Sequence, residues 1–454
     1  MRKPNIVLIT ADSLRYDHLR CCSGTNPTFT PHIDLFAQRS CVYLNAYSGG
    51  PNTPHAFPGI MAGRNALDSS KLGLFEDKLT LAQALKTAGY TTLAFSAANP
   101  YISRHFHYHR GFDYFEDFVD FELDHEMANE TGDLIGIPQA DLEQYLMSEE
   151  NLRKKESLER SFNQEIAQVI PDARPPFFLW VHYMDTHYPY VPAIGFQKMS
   201  SVSDISKEGN FQLNRIVREN LTPSPAQSNE IKKLYTACVR QLDTQVGNLL
   251  SNLSANGEID NSILLFCADH GEEFRDHGDF QHKSKLFEEL IHAPLMLKRP
   301  EEPGAGVVER PVSLAGIPET IMSLAGERDV FGTPALDAGT NADSLTYSAA
   351  SIAPNGNTPS DGDMMNINPL PKIVSIRKGH WKFIFRKGHT HMLFNLFRDP
   401  GESRNLVSEE NARAAELTRV ATSLLAEFEE TRLSKRLSGI RDQIKTENAL
   451  HVSY

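Results

Sequence analysis

Three separated segments carry side chains of the kind that hold divalent cations: Asp12, the pair Asp269-His270, and His282 a dozen residues further on. Carboxylate oxygen and imidazole nitrogen together suit zinc, manganese, magnesium or calcium, and histidine in the set favours the transition metals. Taken singly, each has an ordinary structural explanation: an Asp that caps a helix, or a His on the surface. The placement of Asp12 and of Asp269-His270 at the ends of apolar runs, with His282 following in order, points instead to a metal site.

Those runs are the elements that must position the ligands. Asn5–Ala11 is a β-branched run bounded by Pro4 and Asp12, and Ser262–Ala268 leads straight into Asp269; both patterns predict buried central strands. Phe177–Tyr183 and Tyr90–Ser96 read as further strands. Thr30-Pro31 opens a helix with Ile33, Phe36 and Ala37 on its apolar stripe, a second helix runs from Thr80 to Gly89, and a long one spans Asn229 to Leu253. Strands alternating with helices predict an α/β fold with a mostly parallel sheet flanked by helices, with sites at the carboxyl ends of strands. After a Gly/Pro/Asn-rich stretch at 338–371, the segments 373–377, 381–386 and 392–395 predict a small antiparallel sheet, followed by a helix carrying Leu417, Val420, Leu424, Leu425 and Phe428. The division expected is a catalytic domain over 1–340, with an acidic insertion at 116–170 that shapes access to the site, and a C-terminal subdomain over 341–454.

The 454 residues are 40% hydrophobic and 23% charged, an ordinary globular balance that excludes disorder as the general state. A net charge of −13 argues against nucleic acid or an anionic membrane as the main partner, yet not against an anionic substrate, because a bound cation reverses the local potential. The first apolar run is too short for a signal peptide, and no run of about 18 apolar residues predicts a membrane span. Five cysteines without metal-finger spacing (Cys21, Cys22, Cys41, Cys238, Cys267) are expected to be reduced thiols of a cytoplasmic protein. Oligomeric state is not legible.

At a finer grain the chain resembles the sulfatase family of the alkaline phosphatase superfamily. Pro4 to Asp12 resembles the family's opening strand and Thr30 to Leu35 the helix after it. Cys267 to Glu272, Asp276-His277-Gly278 and His282 to Glu289 resemble its second metal segment, and Arg398 to Glu402 with Asn405-Leu406 its carboxyl-terminal signature. The resemblance runs from residue 4 to about 410 and weakens at 116–170. It implies an alkaline phosphatase-like sandwich and an ester hydrolase with one or two divalent metals per chain.

In sulfatases the nucleophile is a formylglycine made from Cys or Ser. The corresponding segment here is Thr53-Pro54-His55-Ala56-Phe57-Pro58-Gly59-Ile60-Met61-Ala62-Gly63-Arg64, which puts Thr53 at the nucleophile position and His55 and Phe57 where the family has Pro and Arg. Oxidation of a secondary alcohol gives a ketone, so Thr53 cannot supply the aldehyde whose hydrate attacks sulfate. Threonine here is similar to the nucleotide pyrophosphatase/phosphodiesterases and the phosphoethanolamine transferases, in which the Thr oxygen attacks phosphorus. As a plain structural residue Thr53 would be a helix N-cap, a place whose dipole also favours an oxyanion.

The resemblance gives Asp12, Thr53, Asp269 and His270 as metal ligands. His282 is either a ligand of a second metal, with His187 and Asp185 nearby, or it joins His187 and Lys283 as an anion contact or general acid. Ser13 stands where many sulfatases have a further calcium-binding Asp, which shifts the expected metal toward zinc or manganese over calcium or magnesium. Arg15, Asn99, Asp185 and Arg64 complete the expected substrate contacts. The reaction expected is hydrolysis of a phosphate mono- or diester, on a small molecule or a glycan- or lipid-linked group, through Thr53. Sulfuric ester hydrolysis, phosphoryl-group transfer and a non-catalytic metal-binding role are the alternatives.

Overall fold

The computed structural model describes residues 3–23, 28–69, 73–74, 78–119, 158, 161–257, 259–300, 306–338, 345–352 and 372–451, with side chains as far as 434. Most of the acidic segment at 116–170 and of the Gly/Pro/Asn-rich stretch at 338–371 lies outside the described residues.

An eight-stranded sheet forms the frame. Its order is Val307–Val308, Cys41–Tyr43, Leu295–Lys298, Ser262–Ala268, Asn5–Ala11, Phe177–Tyr183, Thr91–Ser96, Tyr114–Glu116. Asn5–Ala11 runs parallel to both neighbours, in a register that pairs Thr10 with His182 on one side and with Cys267 on the other. Leu295–Lys298 pairs antiparallel with the strands on either side of it. The three central strands are wholly buried along their length, as continuous apolar runs covered on both faces require.

The three expected helices form, with the long one starting four residues earlier than expected and Thr30 making no side-chain cap. Thr80 caps Leu81–Thr87 in a reciprocal capping box with Gln83. Pro31 opens Pro31–Ala37, with Ile33, Phe36 and Ala37 buried. The long helix is Pro225–Ala255, capped by Ser224, and buries Leu234, Tyr235, Leu242, Val246 and Leu249.

A second, four-stranded antiparallel sheet is formed by Leu345–Ser351, Lys372–Lys378, Trp381–Arg386 and Met392–Asn395. The closing helix Asn411–His451 packs Leu417, Ala421, Leu425 and Phe428 against Val374, Ile376 and Phe383 of that sheet. Where the sheet meets the rest of the chain, Lys382 is buried between Glu288 and Glu402, 2.9 Å from a carboxylate oxygen of each.

Candidate active site

Adjacent strands deliver the site. Asp12 follows Asn5–Ala11 and Asp269-His270 follow Ser262–Ala268, so two neighbouring strand ends place their carboxylates side by side. Thr53 arrives on the helix Thr53–Ala62, which is entirely buried. The cap of that helix is Asn52 and not Thr53: Asn52 has extended backbone, and its Oδ1 accepts from the His55 N–H. Thr53 is therefore the first helical residue, and its hydroxyl is left to face the strand ends.

The resulting cluster is tight. Thr53 Oγ1 donates to Asp12 Oδ2 at 3.2 Å and lies 3.4 Å from His270 Nε2. His270 Nε2 is 3.4 Å from Asp269 Oδ2 and 3.7 Å from Asp12 Oδ1. Ligand atoms bound to one ion at bonds of roughly 2.0–2.3 Å would stand roughly 3–3.5 Å apart, and most of these separations are of that size. The donor atoms of Asp12, Asp269 and His270 all lie within 4.8 Å of one another.

Proton positions favour the same reading. His270 Nδ1 donates to the Gly271 carbonyl at 2.8 Å, which turns the Nε2 lone pair toward the cluster. Burial, and then the charge of His282, push His270 down to about 4, so it is the neutral imidazole that a metal needs. Burial, and then the nearby charge of Asp12, hold Asp269 well above the usual carboxylate range, and its Oδ2 is buried without a hydrogen-bond partner. A divalent cation removes that penalty. The residues thus fit a divalent ion, which Asp12, Asp269 and His270 would hold, with the Thr53 hydroxyl beside them.

Ser13 ties the two carboxylates together. Its N–H donates to Asp269 Oδ1 at 3.1 Å and its Oγ to Asp12 Oδ1 at 2.8 Å, from a left-handed backbone with φ of 56°. That conformation is costly for serine and is found where surrounding structure imposes it. Asn99 also belongs to the cluster: its Nδ2 is 2.7 Å from Asp12 Oδ2 and 3.5 Å from Thr53 Oγ1.

The other expected residues divide. His282 packs beside His270 with ring centroids 4.6 Å apart, and His187 beside His282 at 5.2 Å. His282 Nδ1 faces Glu272 Oε1 at 3.2 Å; burial opposes protonation, but the charge and hydrogen bond of Glu272 outweigh it, and His282 is raised. Lys283 Nζ donates to Asp279 Oδ1 at 3.0 Å. Arg15 is buried in ion pairs with Asp17 and Asp276, both at 2.8 Å, and donates to the Glu272 carbonyl, so it braces the loop that carries Asp269 and His270. Asp185 is buried and accepts from Gln241 at 3.0 Å. The Arg64 side chain is exposed beyond the helix cap Gly63.

Two residues at the site escaped the sequence reading. His182 is wholly buried on the strand Phe177–Tyr183, with Nε2 3.3 Å from Asp12 Oδ2. Glu272, also wholly buried, backs His282 and accepts from Tyr190 Oη at 3.0 Å. The available sign of His182 was one imidazole inside an otherwise apolar strand.

Strand ends that converge on buried carboxylates, an imidazole and a hydroxyl, in an α/β sheet of this order, form a site consistent with a divalent ion. Residues 4–327 match the family model described as Sulfatase. The chain belongs to the sulfatase family and is a hydrolase acting on ester bonds. It is 24% identical to a choline-sulfatase of Rhizobium meliloti, over 90% of this chain and 83% of that one, and 26% identical to an arylsulfatase of Clostridium perfringens, over 66% and 69%. Its fold is that of a phosphonate monoester hydrolase of Agrobacterium radiobacter (TM-score 0.67, 18% identity, 94% of this chain and 96% of that one). It is equally that of a protein solved with its substrate D-glucosamine-2-N,6-O-disulfate (TM-score 0.70, 17% identity, 95% and 98%). No helix among the described residues is long and apolar enough to cross a membrane.

Proposed function

We propose that this protein hydrolyses a phosphate mono- or diester with Thr53 as nucleophile, using one divalent ion, zinc or manganese. The observation that carries the reading is Thr53 Oγ1, buried among Asp12, His270 and Asn99 at 3.2, 3.4 and 3.5 Å. A secondary alcohol in that place cannot be converted to an aldehyde, so the hydroxyl itself must attack.

A divalent ion held by Asp12, Asp269 and His270 would supply Lewis acidity, lowering the cost of the Thr53 alkoxide and of charge on the phosphoryl oxygens. Asp12 accepts the hydroxyl hydrogen bond and orients Oγ1, while Asn99 directs an N–H at the same oxygen. Thr53 gives up its hydroxyl proton to solvent, Oγ1 attacks phosphorus as the bond to the ester alcohol breaks, and His282, raised by Glu272, gives the departing oxygen its proton. His187, whose Nδ1 is held by the Tyr188 carbonyl, lies beside His282 on this leaving-group side. Water, giving a proton to the now neutral His282, then attacks the phosphothreonine, breaking its P–Oγ1 bond and releasing phosphate, or a phosphomonoester when the substrate is a diester.

A second reading is sulfuric ester hydrolysis, favoured by the sulfatase names of the relatives and by the sulfated sugar in one structural neighbour. In either case the ester is anionic, on a small molecule or a sugar. A reducing compartment suits the five free thiols.

The test is a panel of aryl phosphate, aryl phosphodiester and aryl sulfate, with native protein and Thr53→Ala. Turnover of a phosphate ester, lost by at least ~10³-fold in Thr53→Ala, is expected. Exclusive turnover of the sulfate, or a Thr53→Ala variant as active as the native chain, overturns the proposal.

A further inference from the structure

We infer that His182 is a positioning residue for the Asp12 carboxylate, itself oriented by Thr10, Trp180 and Phe57. The inference rests on the metal site of the proposed function and not on which ester is cleaved there.

His182 has no place in a purely structural strand. Phe177–Tyr183 is apolar apart from it and lies wholly inside the protein. Burying an imidazole there is unfavourable unless its nitrogens find partners, and an aliphatic side chain would fill the space without that cost. Both nitrogens are accounted for by the site. On one side Nδ1 is 2.9 Å from Thr10 Oγ1, on the neighbouring strand in direct register. On the other, Nε2 lies 3.3 Å from Asp12 Oδ2, a close electrostatic contact outside hydrogen-bond geometry, and it has no hydrogen-bond partner.

Thr10 is held in turn. Trp180 Nε1, a donor only, gives its hydrogen to Thr10 Oγ1 at 3.0 Å. The Thr10 hydroxyl then has its own hydrogen to give, with His182 Nδ1 at 2.9 Å closer than the Val181 carbonyl at 3.3 Å. Donation to Nδ1 leaves the imidazole proton on Nε2, directed at Asp12. Residues 8, 10 and 12 share one side of their strand, as do 180 and 182 on the next, so alternation alone stacks the relay beneath the site. Phe57 closes the remaining side: its ring meets the His182 ring at 83° with centroids 5.1 Å apart. Where the family carries an arginine, this chain has the aromatic wall that seats His182.

The consequence falls on Asp12. Its Oδ2 is approached by Asn99 Nδ2 at 2.7 Å and by His182 Nε2, while Oδ1 is tied to Ser13 Oγ at 2.8 Å. These contacts fix the rotation of a carboxylate that must present a lone pair to the ion. Losing such an outer partner typically costs ~10–100-fold in metal affinity.

The test is titration of metal-stripped protein with Mn²⁺ by calorimetry, together with apo-protein melting. Native protein is compared with His182→Phe, His182→Gln and Thr10→Val. His182→Phe and Thr10→Val are expected to bind Mn²⁺ ~10–100-fold more weakly. His182→Gln, which keeps an N–H donor, is expected to recover part of the loss. Thr10→Val is nearly isosteric and decides the matter if His182→Phe does not fold. A folded Thr10→Val that binds Mn²⁺ within twofold of native protein, and melts alike, overturns the inference. Failure of native protein to bind any divalent ion instead overturns the metal-site reading beneath it.

Discussion

The Ser351 backbone N–H donates to His55 Nε2 at 3.2 Å, so the edge strand of the C-terminal sheet holds a side chain two residues from the nucleophile. With Nε2 accepting, Nδ1 carries the proton and donates to Asn52 Oδ1 at 2.7 Å, the same oxygen that caps the nucleophile helix. Burial pushes His55 down to about 4, so this neutral tautomer persists above that pH. A Cβ on Gly50 would lie 2.3 Å from His55 Cβ and 2.9 Å from the Ala349 carbonyl oxygen, so glycine is required for the two parts to close on each other.

His55→Phe keeps a buried ring but leaves the Ser351 N–H unpaired and removes a donor from Asn52. We expect a loss of about 1–3 kcal/mol in stability. A fall in kcat larger than in metal affinity is also expected, since Thr53 shifts while Asp12 and Asp269 stay. Urea unfolding and steady-state kinetics check both parts.

His282 and its neighbour Lys283 should separate sharply. His282 faces the cluster and is backed by Glu272, whereas Lys283 is paired with Asp279. His282→Ala is expected to lower kcat by ~10²–10⁴-fold for substrates with poor leaving groups, and by much less for a nitrophenolate that departs unaided. Lys283→Ala should leave kcat within a fewfold of native, as for a partly exposed ion pair. Kinetics on matched alkyl and aryl esters read the contrast.

Chelation should lower stability as well as activity. An ion at 100 times its dissociation constant adds about 2.7 kcal/mol to folding, so melting in EDTA should fall and be restored by Mn²⁺ or Zn²⁺. Asp269→Asn, which cannot offer an anionic ligand, should show little difference between the two conditions.

The buried triad of Lys382, Glu288 and Glu402 predicts a pH dependence of folding. Burial pushes Glu402 from its ordinary 4.5 up to about 7, with the charge of Glu288 adding to the rise and Lys382 opposing it. The folded chain therefore binds this proton more tightly than the unfolded chain. Its contribution to stability is full below about 4.5 and is lost as pH rises through about 7, on the order of 3 kcal/mol at most. Glu402→Gln, which cannot ionise, should flatten that stretch of a stability-against-pH profile measured by denaturant unfolding.

Much of this fold is written in local pattern. The three central strands are unbroken apolar runs, and the helix start at Thr80 is a local signal that holds in the structure, whereas the long helix begins at Pro225, four residues before the apolar periodicity does. The ligands were legible for the same reason, since Asp12 and Asp269 stand directly after their strands. What spacing does not carry is partnership across the chain. Arg15 reads as an anion contact until Asp276, 261 residues away, is seen to pair with it. Asn52 and Thr53 are both capping residue types, and only the extended backbone at Asn52 assigns the role. His182 looks like a lone core histidine until the register sets it beside Thr10 and Asp12.

Asp12, His182 and Asp269 rise from three hydrogen-bonded neighbours in one sheet, so their mutual distances are inherited from the spacing of strands. No closing motion has to assemble the cage, and its dimensions are as stiff as the interior that carries them.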